Sequence, residues 1–117
     1  ADRFGVRAPL VAASLLLVVG FACIGMGWLY AGALAVVTSR GALGTLIPAA
    51  VALFAEHGTL QPLARNQTWR DVGAAAGPLT TGFALAVATP EALHLILAAV
   101  FLGSLLWLMA APAWRRP

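Results

Sequence analysis

Residues 8 to 37 contain no aspartate, glutamate, lysine, arginine or histidine. A single membrane crossing needs about 20 apolar residues. The run is therefore too long for one ordinary span, and too apolar to be a helix lying in water. Gly25, Gly27 and Gly32 interrupt it, and its apolar character resumes through Phe54 after a polar knot, Thr38-Ser39-Arg40-Gly41. Two divisions are open. In the first, one helix covers 8–29, a tight turn falls near Tyr30–Ala33, and a second helix covers 33–55. Trp28 and Tyr30 favour this division, because amphipathic aromatic rings collect at membrane interfaces. In the second, the turn falls at 38–41, which leaves a very long first helix and a short second one.

The rest of the chain agrees with lipid as its solvent. Only 9% of the 117 residues are charged, none is lysine, and 62% are hydrophobic. A soluble domain carries about 25% charged residues. The mean hydropathy is +0.92. Residues 56–70, "EHGTLQPLARNQTWR", are polar and hold a glycine and a proline, so they are predicted as an exposed loop. A third transmembrane helix is expected over 71–89 and a fourth over 91–111, with residues 1–7 and 112–117 as polar flanks. Pro90-Glu91 suits a helix start: proline fits the first turn, and an acid suits the positive end of the helix dipole. The expected fold is all-α and integral to the membrane, with four transmembrane helices.

Arginine placement sets the orientation. Arg3 and Arg7 precede the first helix, Arg65 and Arg70 lie between the second and third, and Arg115 and Arg116 follow the fourth. With four crossings, six of the seven arginines fall on one side, and that side is cytoplasmic by the positive-inside rule. Three or five crossings would scatter them. The arginines thus read as topology signals, and no nucleic-acid partner is expected. No signal peptide is visible. The chain opens on a loop-like segment and is expected to be a piece of a longer polypeptide.

Few residues suggest chemistry. Cys23 is the lone cysteine, so no internal disulfide is possible. His57 and His94 lie near predicted membrane edges without a metal-like spacing. Glu91 and His94 are one helical turn apart, which admits a proton relay or plain interfacial polarity. Arg70-Asp71 reads as a basic interface residue followed by an acidic helix start. The four tryptophans, Trp28, Trp69, Trp107 and Trp114, read as interface anchors. Nothing resembles a nucleophile elbow, a phosphate loop or a paired-carboxylate site, so no enzyme activity, metal or cofactor is expected.

Three stretches together resemble the major facilitator superfamily. "ADRFGVR" is similar to its cytoplasmic loop signature G-x-x-x-D-R-x-G-R-R/K. Asp2, Arg3 and Gly5 match, Arg7 takes the final basic position, and Val6 stands where arginine is common. In "RGALGTLIPAA", Arg40 and Gly44 fall on the R-x-x-x-G pattern of antiporter branches, and Pro48 resembles a proline found late in that helix. "GAAAGPLTTG" is similar to the G-P element of the following helix: Gly73, Gly77, Pro78 and Gly82 match in kind, with Thr81 where the first of two adjacent glycines is usual. The resemblance implies part of a two-halved transporter, either helices three to six or helices nine to twelve. The tail-like Ala-Trp-Arg-Arg-Pro favours nine to twelve.

The implied function is transport of a small solute by alternating access, with proton-coupled efflux as one form, in the inner membrane of a bacterium. The partners are the bilayer, the remaining helices of the same polypeptide and a small-molecule substrate. Asp2, Arg3, Gly5 and Arg7 would form a gating loop. Gly73, Gly77, Pro78 and Gly82 would form a smooth packing or gating face, since helices in lipid associate through close backbone approach. Threonine hydroxyls are expected to satisfy the carbonyl that Pro78 strands. Arg40 is the candidate pathway residue: a charge deep in a span is costly and faces a cavity or a partner. The alternatives for Arg40 are outward snorkelling or the turn at 38–41. The alternative for the whole chain is a multispan membrane enzyme or assembly subunit without transport activity.

Overall fold

The computed structural model describes residues 5–55, 58 and 60–112. They form four helices: α1 (Arg7–Gly25), α2 (Leu29–Phe54), α3 (Leu60–Val87) and α4 (Pro90–Ala110). Three of them, α1, α2 and α4, are long and apolar enough to cross a membrane, which is compatible with a multi-pass membrane protein. The expected transmembrane helix at 71–89 corresponds to α3, which is not among the three. Its apolar part carries small residues and follows directly on Arg70-Asp71, so its average apolarity is low.

The first turn comes earlier than either sequence division placed it. Helix α1 ends at Gly25, not at 29, and Met26–Trp28 form the turn, not Tyr30–Ala33. Gly27 adopts φ +89°, a conformation side chains rarely take. Around it the Gly27 amide donates to the Ile24 carbonyl at 3.0 Å and the Trp28 amide to the Cys23 carbonyl at 2.8 Å. This pair of bonds closes a helix by the Schellman pattern. Glycine at that position, rather than the aromatic residues after it, sets the break. Residues 38–41 are helical, so the alternative turn there is excluded.

The predicted loop 56–70 is also corrected, because α3 begins at Leu60. The break falls by Gly58, at φ +87°. Pro62 lies in the first turn of α3, where a missing amide hydrogen costs no helical bond. The Gln67 amide donates to the Asp71 carboxylate at 2.9 Å across one turn, which adds local support. Asp71 therefore lies inside a helix rather than at a helix start, and Arg70 lies in the same helix. The Thr89 hydroxyl accepts from the Ala92 amide at 3.2 Å and caps α4, whose first turn holds Pro90 and Glu91.

The core lies along α1, which packs against α2 on one side and α4 on the other. Its buried residues, Leu10, Ala13, Leu17 and Gly20, recur at intervals of three and four, which is one helix face. From α4 come Ala98 and Leu105, seven apart, and from α2 come Gly32, Ser39 and Ala50. Side-chain neighbours give the directions. Ile24 meets Gly32 while Gly20 meets Val36, so α2 is antiparallel to α1. Gly25 meets Glu91 and Leu95, while Phe21 stacks on Phe101 with ring centroids 5.6 Å apart, so α4 is antiparallel to α1 as well. The chain must therefore return between the end of α2 and the start of α4, and α3 makes that passage. Its 28 residues rise about 42 Å, close to the 44 Å long axis of the molecule.

Candidate functional site

The face that α2 turns away from α1 is set by small residues on its other side. Gly32, Val36 and Ser39 meet or adjoin α1. Ser39 is fully buried, and its hydroxyl donates to the Val36 carbonyl at 3.0 Å, so it brings no unsatisfied polar group into the contact. With that face committed, Val37, Arg40, Gly44 and Ile47 are left exposed on the opposite side. Arg40 is 11 residues beyond Leu29, about 16 Å along the helix, near the centre of the span Leu29–Leu53. Its guanidinium pairs with no described residue.

A charge at that depth costs at least about 2.5 kcal/mol on insertion scales. In a bilayer the guanidinium would have to meet water, an anionic group or carbonyls, or snorkel outward to the interface. Its chemistry is narrow. Five fixed N–H donors match a carboxylate or phosphate, and a group that stays protonated cannot itself carry a proton. It can bind an anion, or favour ionisation of a nearby carboxylate.

The remaining sequence-predicted residues are less gathered. Asp2 and Arg3 lie outside the described residues, as do Glu56, His57, Trp114 and the two C-terminal arginines. Gly5 precedes α1 at φ +52°, which accounts for glycine at that point of the loop. Arg7 is the first residue of α1 and is half-buried. Glu91 is exposed and His94 half-buried. A His94 ring nitrogen lies 2.6 Å from the Pro90 carbonyl, so that nitrogen is engaged by backbone rather than by Glu91.

The expected packing face on α3 meets no other helix among the described residues of this chain. Side chains added at Gly73, Gly77 or Gly82 would meet nothing within 4 Å, and no residue of α3 is buried. The Thr80 hydroxyl donates to the Ala76 and Gly77 carbonyls, each at 3.0 Å. It therefore does not reach the Ala74 carbonyl, the one four residues before Pro78. Close backbone approach occurs instead at Gly20, Gly25 and Gly32, where an added Cβ would lie under 3.0 Å from neighbouring atoms. The available signal was the seven-residue spacing of Gly32 and Ser39, with Gly20 one buried position after Leu17.

Comparison with protein-family models, with curated proteins and with solved structures finds no match.

Proposed function

We propose that the chain is part of a secondary transporter of the major facilitator type. In this reading it contributes four helices of one half of the molecule, and a small solute crosses by alternating access. The observation that carries the reading is Arg40: a charged side chain at the centre of an apolar span, exposed and without a partner among the described residues. A solvated transport pathway, or a carboxylate on a helix beyond this chain, supplies what the charge requires. The order of the three motif-like stretches supports the same reading, and the R-x-x-x-G pattern favours an antiporter coupled to protons. Because arginine retains its proton, the coupling proton moves on another group, and Arg40 acts on that group or on an anionic substrate.

The gating loop, Asp2, Arg3, Gly5 and Arg7, belongs on the cytoplasmic side, in the cell membrane of a bacterium. The bare face of α3, with Gly73, Gly77, Pro78 and Gly82, is where a helix of the remaining polypeptide docks closely and slides.

The test uses the full polypeptide in proteoliposomes under an imposed pH gradient. Arg40→Lys should keep part of the proton-linked current, and Arg40→Ala should lose it while still reaching the membrane. A cysteine in place of Arg40 should react with an impermeant maleimide through a water-filled path that closes in one state. Normal transport by Arg40→Ala, or free labelling from the periplasmic side in every state, would sink the pathway role.

A further inference from the structure

The first part of α3 is helical but polar; the topology reading uses only the sign of its two arginines, and the pathway reading does not use it. Gln61, Arg65 and Trp69 follow one another at intervals of four, and Pro62, Asn66 and Arg70 form the adjacent row. Five of these six line an open groove of about 500 Å³ on the outside of the helix. Arg65, Trp69 and Arg70 are exposed. Two arginines stand against one nearby described carboxylate, Asp71, which accepts from Gln67, so among the described residues the face is net cationic, with an indole in the middle.

Its level in the bilayer follows from the helix register. Helix α1 has 19 residues, a rise of about 28 Å, and ends level with the start of α4. The same 19 residues counted back along α3 from Val87 end at Trp69, between Arg65 and Arg70. Arg7, at the other end of α1, is on that level. Beyond it α3 is apolar, from Val72 to Val87. We propose that the Arg65–Trp69–Arg70 face of α3 binds the phosphate of an anionic phospholipid headgroup at the cytoplasmic surface of the bilayer. The guanidinium groups meet the phosphate oxygens, and the indole of Trp69 takes the interfacial position that its apolar ring and single N–H donor prefer. The inference needs only that the bilayer surrounds the three apolar helices, and it holds whether or not the polypeptide transports.

The test uses nanodiscs and the chain with Trp28→Phe, Trp107→Phe and Trp114→Phe, which leaves Trp69 as the only indole. Tail-brominated phosphatidylglycerol should quench Trp69 more than tail-brominated phosphatidylcholine at the same mole fraction. Each arginine near an anionic surface is worth about a five-fold preference. Arg65→Gln with Arg70→Gln should therefore abolish the excess, with helical content by circular dichroism unchanged because both side chains are exposed. Arg65→Lys with Arg70→Lys should retain most of it. Millimolar inorganic phosphate should leave it intact. Equal quenching by the two lipids, persistence of the excess without the arginines, loss in the lysine variant, or competition by free phosphate would each overturn the proposal.

Discussion

Gly32→Ala adds one methyl group to the tightest point between α1 and α2. The new Cβ would stand 2.6 Å from Ile24 Cγ1, 2.7 Å from the Gly20 carbonyl oxygen and 2.8 Å from the Ile24 amide nitrogen. Ordinary carbon contacts lie at about 3.5–4.0 Å. The Ile24 side chain can swing aside, but the two backbone atoms cannot, so the helices must part by about 1 Å at the crossing. A gap of that size forfeits a quarter to a half of each affected dispersion contact, and overpacking of this kind costs about 1–3 kcal/mol. Alanine's better helix propensity returns up to about 1 kcal/mol, which leaves a net loss of up to roughly 2 kcal/mol. Gly77→Ala is the matched control: it has the same propensity gain and open space around it. Both variants of the 117-residue chain would be unfolded with dodecyl sulfate in mixed micelles and followed by far-ultraviolet circular dichroism. Gly32→Ala should unfold earlier than the parent, and Gly77→Ala at the same point or later. Equal stability of the two variants would refute the argument that α1 and α2 meet backbone to backbone.

Gly25→Ala should cost less, since the nearest atoms are the Cγ and Cδ2 of Leu95, which is partly exposed. Adding Leu95→Ala should recover part of that loss in the same unfolding assay, whereas Ile24→Ala should not rescue Gly32→Ala. Single cysteines at Gln61 and Tyr30, on a Cys23→Ser background, should react with an impermeant reagent from opposite sides of sealed vesicles; reaction from one side only would break the four-pass path. Gly77→Leu should leave the stability of this chain unchanged but impair transport by the full polypeptide. Unimpaired transport would show that the small face of α3 has no partner helix.

Much of the class was legible in the sequence. Long uncharged runs can be satisfied only by helices in lipid, because a backbone without water must bond within its own segment. Pro90-Glu91 marks the start of α4 through its own local chemistry, and the depth of Arg40 follows from counting along an apolar run. The first turn was misplaced because aromatic residues mark the interface but do not end a helix. Gly27 ends it, through a left-handed backbone conformation and two amide bonds. The polar start of α3 resembles a loop in composition, yet it is helical because its proline falls in the first turn, where a helix tolerates it. Which glycines pack was decided only by the tertiary structure. Gly20, Gly25 and Gly32 are alike in sequence to Gly73, Gly77 and Gly82, yet the first three meet another helix and the last three meet nothing in this chain. Composition makes a helix smooth, but close approach depends on the position and direction of a second helix. That same packing, by committing Gly32 and Ser39 to α1, turns Arg40 outward.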